Sequence, residues 1–318
     1  MLALALVVAT LTAAEPEVVH VGVYVHHIPE IDLKTNTYMG DFYLWLRWKG
    51  DIDPSRSFEF TNLADTSSMV RTPIFVDDEG NPKPDTLEDG SRYQQFHVQG
   101  RFTHPFSVKN YPFDEQDVVF EIEDTKALSS ELVYRVDEVG RSGVHPGFAL
   151  VGWEFDRVKL EVTDTKYATN FGDPRVTANA EAFTHLNATI HVHRPVWSSM
   201  VKSILPLLIV LLITLAVFLI DGKYFDARSS VGITTLISAV ALQLTSSAEL
   251  PNVGYVVLLD KLYNLSYVVI SLALLESVLA VKLTDAEQPK RAAFFDRLSL
   301  VACIVFALGT GAYLIVFR

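Results

Sequence analysis

Cysteine is nearly absent from this chain of 318 residues. Its only cysteine, Cys303, lies in an apolar run, so an intrachain disulfide is impossible and a cysteine-based metal site is not expected. The chain also lacks the sequence patterns of catalysis: paired catalytic carboxylates, a nucleophile elbow, a phosphate-binding loop and metal-ligand spacing. We therefore predict that it is not an enzyme and that it carries no cofactor.

Basic residues are few relative to acidic ones, with 26 Lys and Arg against 38 Asp and Glu and a formal net charge of −12. The imbalance lies before Pro195, where 17 basic and 30 acidic residues occur. An acidic domain repels nucleic acid and attracts cations. We expect cations among its partners and no nucleic acid.

Long apolar runs are confined to the second part of the chain. Each run supplies the roughly 20 residues that a membrane-spanning helix needs. The predicted helices cover 197–220, 229–248, 253–282 and 298–317. We therefore predict a membrane domain over 196–318, with the lipid bilayer as its partner, after a polar domain over 15–195.

The charges between the runs predict an orientation. Basic residues, including Lys223 and Arg291, fall on one side of the predicted membrane domain, which the positive-inside rule assigns to the cytoplasm. Residues 1–14 (MLALALVVATLTAA) resemble a secretory signal peptide, although they lack a basic start. Both features predict a multi-pass protein of the bacterial inner membrane with its N-terminal domain in the periplasm or outside the cell.

The first domain has the pattern of a β-sandwich. Short runs rich in β-branched and aromatic residues alternate with clusters of turn residues, which is typical of an antiparallel sandwich of immunoglobulin type. The predicted strands are 18–25, 38–49, 58–62, 93–102, 117–123, 132–136, 155–163 and 182–193.

One apolar segment, 226–251, carries acidic and hydroxyl residues at helical spacing. The recurring residues are Asp226, Ser230, Thr234, Ile237, Ala241, Leu244 and Ala248. Steps of three and four place them on one face of a helix. Because a helix surrounded by lipid needs no such face, we predict that this face lines water.

Several segments together resemble the pentameric ligand-gated ion channel family, also called the Cys-loop receptor superfamily. The matching segments are 42–48 (FYLWLRW), 106–114 (FSVKNYPFD), Gly152-Trp153, Arg194, Pro206 and Leu250-Pro251. The cysteine pair of the eukaryotic receptors is absent and the 283–296 linker is short, so the resemblance is to the prokaryotic branch. It covers nearly the whole chain and implies a homopentamer.

The resemblance implies a ligand-gated channel whose pore is lined by the second helix. Asp226 would form a ring of five carboxylates at the cytoplasmic mouth and, with Ser230 and Thr234, select cations. Ile237, Ala241 and Leu244 would form a hydrophobic gate, with Ala241 the weakest member because it is small. Asp226 also suits a helix N-cap.

Two alternatives remain open from the sequence. One is an anion-selective channel of the same fold, which would follow if Arg228 faced the pore. The other is a membrane-anchored sensor or binding protein that does not conduct. A secondary transporter is disfavoured because that class needs more helices.

The resemblance also implies a cluster that couples the two domains. Asp32, Asp114 and Arg194 would meet at the domain–membrane junction, with Pro251 and Tyr255 opposite them. An arginine suits this position because its planar fork can hold two carboxylates. The alternative is an ion pair with a purely structural role.

The effector is the least determined feature. Aromatic candidates for an intersubunit site that would hold an organic cation are Tyr43, Trp45, Phe75, Tyr167 and Phe171, each of which has a core role as its alternative. Nine histidines, all before Pro195, make protons a second candidate effector. Asp77, Asp78 and Glu79 are candidate ligands for Ca²⁺, although a solvated turn is the favoured interpretation.

Overall fold

A computed structural model of the chain describes residues 15–172, 174, 177–179 and 182–316. The predicted signal segment, 1–14, lies outside the described residues. The described part consists of an N-terminal β domain followed by four long helices, which confirms the predicted fold class.

The β domain contains two sheets. Its strands in the described residues are β1 (Glu17–His27), β2 (Ile31–Asp32), β3 (Thr37–Trp48), β4 (Phe58–Phe60), β5 (Val70–Pro73), β6 (Asp85–Thr86), β7 (Arg92–Thr103), β8 (Glu115–Asp124), β9 (Leu132–Val136), β10 (Gly143–Val144), β11 (Glu154–Lys166) and β12 (Ala182–His193). The larger sheet has the order β10-β1-β3-β7-β5, and the smaller has the order β11-β12-β8-β4.

The sequence predicted antiparallel sheets, but the larger sheet also contains parallel strand pairs. β1 pairs in parallel with β9, where Glu17 lies opposite Leu132, and with β10, where Tyr24 lies opposite Gly143. Parallel neighbours need a long crossover rather than a hairpin. Here most of the β domain lies between the paired strands, so the alternation within one strand could not reveal the pairing.

Alternating apolar residues explain why the strands form a sandwich. In β3, inward-facing side chains such as Phe42 alternate with more exposed ones, which is the pattern of a sheet with one buried face. The rings of Phe42 and Phe120 lie 4.1 Å apart between the sheets, and Phe102 lies 4.9 Å from Phe120. This aromatic core fixes the two sheets against each other.

The predicted strands agree with the observed ones to within a few residues, and 132–136 and 182–193 agree at both ends. Strand β5 was not predicted because its sequence, VRTP, is exposed and ends in proline. Proline is tolerated there since β5 lies at the edge of the sheet.

The four helices are each long and apolar enough to cross a membrane. They are α1 (Val196–Leu219), α2 (Phe225–Ser247), α3 (Leu258–Asp285) and α4 (Pro289–Val316). All four lie within the predicted membrane domain, 196–318.

Three predicted helix starts were wrong. α2 begins at Phe225, four residues before the predicted Ser229. α4 begins at Pro289; the prediction started it at Leu298 because the first turns of α4 are polar and resemble a linker in composition. Proline suits the first turn of a helix, where its missing N–H is not needed. α3 begins at Leu258 rather than the predicted Val253, and the residues from Pro251 to Val257 form an irregular loop.

α1 is not a uniform α-helix. Its segment Met200–Ile204 is π-helical and directly precedes the turn that contains Pro206. Proline cannot donate to the carbonyl four residues earlier, so a local change in helical pitch is expected there.

Candidate functional site

The predicted stripe of α2 lies on one exposed face of the helix in a single subunit. All seven of its members, from Asp226 to Ala248, are exposed, with Ile237 64% and Leu244 68% accessible. The opposite face is buried: a Cβ atom on Gly232 would come within 2.3 Å of Leu274 on α3. α2 therefore packs tightly on one side and presents the predicted stripe on the other.

The hydroxyl groups of this face bond mainly to their own helix. Thr234 Oγ1 donates to the Ser230 carbonyl at 2.7 Å. Thr235 is buried beside the exposed face. Its Oγ1 donates to the Gly232 carbonyl.

Asp226 is not the N-cap of α2. Tyr224 occupies that position and makes no side-chain capping bond, so Asp226 is the second residue of the helix. The Asp226 carboxylate lies in the first turn, where the helix dipole favours a negative charge. It is exposed, so it remains available at this end of the stripe.

Arg228 is turned away from the stripe and is fully buried. Its Nη1 donates to Glu276 Oε2 at 3.2 Å, and its Nη2 lies 2.8 Å from Asp296 Oδ1. Its Nε donates to the Ile220 carbonyl, just after α1, at 2.8 Å. We call Arg228, Glu276 and Asp296 the inner cluster; it connects α2, α3 and α4, and the Ile220 carbonyl adds the end of α1.

Glu276 and Asp296 were not predicted as functional residues. Glu276 is an isolated acidic residue inside a long apolar helix, and such residues usually face a partner rather than lipid. That signal was present in the sequence for Glu276, whereas Asp296 lies in the polar first turns of α4, within the predicted linker 283–296.

A second polar connection joins α2 to α3 nearer the β domain. The Tyr267 hydroxyl donates to Gln243 Oε1 at 2.5 Å, and Gln243 Nε2 donates to Asp260 Oδ1 at 3.1 Å. These residues were not predicted from the sequence. They connect the half of α2 nearer the β domain to α3.

Arg194 and Asp114 meet at the junction of the two domains. Arg194 Nε donates to Asp114 Oδ1 at 2.6 Å, and Asp114 is buried. The guanidinium also lies 4.3 Å from the ring centroid of Trp153 and 4.9 Å from that of Tyr111. Gln116 Nε2 donates to the other Asp114 oxygen at 2.7 Å, so the carboxylate is fully paired.

Tyr255 also reaches the β domain. Its hydroxyl accepts a hydrogen bond from the Val108 backbone N–H at 3.2 Å. Close by, the Leu258 N–H donates to the Lys109 carbonyl at 2.9 Å. The loop after β7 is thus bonded directly to the start of α3.

Asp32 lies at the junction but is not paired with Arg194. Its Oδ1 accepts from the backbone N–H of Lys34 at 2.9 Å, and bonds from Thr35 and Lys34 hold the pKa of Asp32 below its ordinary value. Asp32 and Arg194 line one cavity of about 410 Å³. Leu250 also lines this cavity, and Pro251 follows it in the chain.

Two of the five aromatic candidates come together. Tyr167 and Phe171 have ring centroids 5.2 Å apart, and Tyr167 lies 5.9 Å from Phe183. They border a pocket of about 880 Å³ beside the smaller sheet. Its acidic lining residues are Glu59, Glu123 and Glu131.

The pocket is acidic but contains neutral donors. The Tyr167 hydroxyl donates to Glu123 Oε1 at 2.9 Å, and burial together with Glu123 raises the pKa of Tyr167 to about 12. Burial and the nearby Glu123 carboxylate also raise the pKa of Glu59.

The other three aromatic candidates lie away from this pocket. Trp45 is buried and donates its indole N–H to Asp137 at 2.8 Å, so it occupies the core position given as its alternative. Tyr43 stacks on His97 with centroids 4.7 Å apart. Phe75 packs edge-on against Tyr93.

Several histidines lie against carboxylates. The pairs are His97 with Asp41, His185 with Glu123, His191 with Asp117, and His193 with both Glu154 and Asp156. By contrast, burial lowers the pKa of His104, and burial and Arg47 lower that of His20.

The candidate calcium ligands form an ordinary turn. Asp77 Oδ1 accepts from the backbone N–H groups of Asn81 and Glu79, and these bonds lower the pKa of Asp77. Among the described residues, no group of three His, Cys, Asp or Glu side chains is arranged to hold a metal ion. The calcium site is therefore not supported at Asp77, Asp78 and Glu79.

These features define a membrane protein whose β-sandwich is bonded to the start of α3 and to the loop before it. No protein-family profile matches the chain. The chain is 24% identical over 306 residues to a proton-gated ion channel of Gloeobacter violaceus, across 93% of this chain and 82% of the relative. Similarity to an ion channel over this length confirms the prediction that the chain is not an enzyme.

Proposed function

We propose that this chain is one subunit of a homopentameric, cation-selective channel that is gated through its β domain. The observation that carries the proposal is the continuous exposed stripe of α2, which has an acidic inner end and an apolar outer part. Lipid would explain the exposure of Ile237 and Leu244, but not that of Asp226, Ser230 and Thr234 on the same face. Five copies around an axis would bring each position together as a ring lining a pore.

The acidic end supports selection of cations. Asp226 would give a ring of five carboxylates that concentrates cations and repels anions. Arg228, whose exposure would have favoured anions, is buried against Glu276 and Asp296. We place this end of the helices in the cytoplasm and the β domain in the periplasm or outside the cell.

Reversal potentials of the reconstituted protein in asymmetric NaCl test this proposal. The wild type should reverse near the sodium potential, and Asp226→Asn should lower the cation-to-anion permeability ratio by about tenfold. Ser229→Ala, next to the stripe, is the matched control and should leave the ratio unchanged. Reversal near the chloride potential would support the anion channel, and a wild type without current would support the sensor.

Protons are the effector that we propose. Carboxylate-paired histidines are distributed over both sheets, and each pair gains attraction when its histidine is protonated. The relative is itself proton-gated. Steps of external pH from 7.5 to 4.5 should open the channel, and His191→Gln should move the response to lower pH.

An organic cation is the second candidate effector. The pocket beside Tyr167 and Phe171 combines aromatic faces with three carboxyl groups, which is the chemistry that binds an ammonium group. In a pentamer, Tyr43 and Phe75 of a neighbouring copy would approach from the larger sheet. A quaternary ammonium ion applied at pH 7.5 distinguishes the two effectors, since only an organic-cation site would respond to it.

A further inference from the structure

We propose that Glu276 and Asp296 are specificity-determining residues that keep the Arg228 charge out of the ion path. The inference rests on the proposed function, because it concerns the selectivity of that channel. Neither acidic residue lies on the exposed stripe of α2. Both would act by positioning an arginine that belongs to the same helix as the pore lining.

Arg228 lies very close to the mouth of the proposed pore. It follows Asp226 by two residues, which places the two side chains about 200° apart on the first turn of α2. Both residues precede Ser230, the first hydroxyl of the stripe. A flexible arginine at this position needs only a change of side-chain conformation to bring its charge toward Asp226.

The inner cluster prevents that change from three directions. Glu276 on α3 accepts a hydrogen bond from Nη1, Asp296 on α4 forms an ion pair with Nη2, and the Ile220 carbonyl at the end of α1 accepts from Nε and Nη2. The side chain of Arg228 has no accessible surface, and that of Glu276 has only 6%. Each acceptor comes from a different helix segment, so the arrangement fixes both the direction and the depth of the guanidinium.

The charge balance supports a positioning role rather than a simple neutral pair. One guanidinium faces two carboxyl groups, although one would be enough to pair it. Burying an additional acidic group costs free energy unless it has a function or a partner. Holding five arginines away from a ring of five Asp226 carboxylates is such a function.

The double variant E276Q/D296N tests the inference in the full-length reconstituted protein. It keeps the shape of both side chains but removes the charges that hold Arg228. We expect the cation-to-anion permeability ratio to fall about tenfold, because five guanidinium groups become free to approach the mouth. The matched control is R228Q/E276Q/D296N, which buries no charge in the cluster and should keep the wild-type ratio.

A second measurement does not depend on conduction. Phenylglyoxal modifies accessible arginines, and mass spectrometry of the peptide that contains Arg228 reports its exposure. Arg228 should be protected in the wild type and labelled several-fold more in E276Q/D296N. A wild type that carries no current but protects Arg228 would count against the proposed function alone.

Three results would overturn the inference. The first is an unchanged ratio in E276Q/D296N, and the second is an equal fall in the triple variant, which would mean that the acidic residues act on ions directly. The third is a triple variant more cation-selective than the wild type, which would mean that Arg228 already acts on the ion path. If the double variant does not assemble, D296N alone should produce a smaller change in the same direction, and a D296N variant with the wild-type ratio and protected Arg228 would also reject the inference.

Discussion

Arg194 and Arg228 stand at opposite ends of the membrane helices and are held in different ways. Arg194 has one carboxylate partner, two aromatic faces and 20% of its side chain exposed beside a cavity. Arg228 has two carboxylate neighbours, a carbonyl and no exposed surface. A contact with aromatic faces tolerates sliding, whereas a guanidinium bonded from three sides does not. We call the Arg194–Asp114 contact the outer joint and the inner cluster around Arg228 the inner joint. The comparison indicates that the outer joint can move and that the inner joint is fixed.

The largest effect that tests this comparison is expected at the fixed joint. Arg228→Ala leaves Glu276 and Asp296 buried without their cation, which should cost about 3–5 kcal/mol of stability. Arg194→Ala should cost less, about 1–3 kcal/mol, because one carboxylate at a partly solvated site is left. Thermal unfolding of the purified pentamer measures both, and a larger loss for Arg194→Ala would reverse the comparison.

The outer joint contains a sharper contrast between two aspartates. Asp114→Asn weakens a buried, fully paired carboxylate and should cost about 2–3 kcal/mol while shifting the effector response. Asp32→Asn is its matched control, since the Asp32 oxygen bonds to its own turn, and should change stability by less than about 1 kcal/mol. The melting temperatures and effector-response curves of the two variants measure this difference. Equal effects would mean that Asp32 joins Arg194 in another state of the protein.

If the outer joint moves while the inner joint stays fixed, the displacement of α2 should be largest in its apolar zone, Ile237 to Leu244. Ile237→Ser should hydrate that zone and ease opening by about 1–2 kcal/mol, which corresponds to a 5- to 30-fold lower effector concentration. Ala241→Ser introduces the same hydroxyl one turn further along the exposed face, where the residue is already small, and should have a weaker effect. Effector-response curves of both variants measure this difference. A stronger effect at Ala241 would move the gate outward.

The exposed face of α2 and most strands were predictable because each follows a short period that the sequence records directly. Steps of three and four residues predicted the stripe, and alternation predicted strands such as β12. The direction of Arg228 was not predictable, because its partner Glu276 lies 48 residues away and belongs to no period.

The expected contact between Asp32 and Arg194 is missing because of local competition. Asp32 is followed closely by Lys34 and Thr35, whose backbone N–H groups bond its carboxylate, and a short Asx-type turn of this kind competes with a distant arginine. Trp45 and Tyr43 lie two residues apart on β3, so a period of two places them on the same face and could not predict that they are buried to different degrees. The structure buries Trp45 against Asp137.

The smallest effect is expected at Glu123, a buried carboxylate that has no arginine partner among the described residues. Glu123 accepts from the Tyr167 hydroxyl at 2.9 Å and lies 3.2 Å from His185 Nδ1. In the folded state, burial and Glu123 raise the pKa of Tyr167 to about 12, compared with an ordinary value of 10.0. The contribution of this hydrogen bond is thus fully present below about pH 10 and is lost as the pH rises toward 12, because only the unfolded chain gains from ionising the phenol.

Tyr167→Phe should remove that dependence while leaving the ring in the pocket. The difference in unfolding free energy between wild type and Tyr167→Phe, measured at intervals from pH 8 to pH 12, should be constant at first and then shrink. Tyr43→Phe is the matched control, because Tyr43 stacks on His97 away from the pocket. If the wild type has no advantage over Tyr167→Phe even between pH 8 and pH 10, Glu123 is held by His185 alone, and a carboxylate can be kept buried here without either an arginine or a phenol.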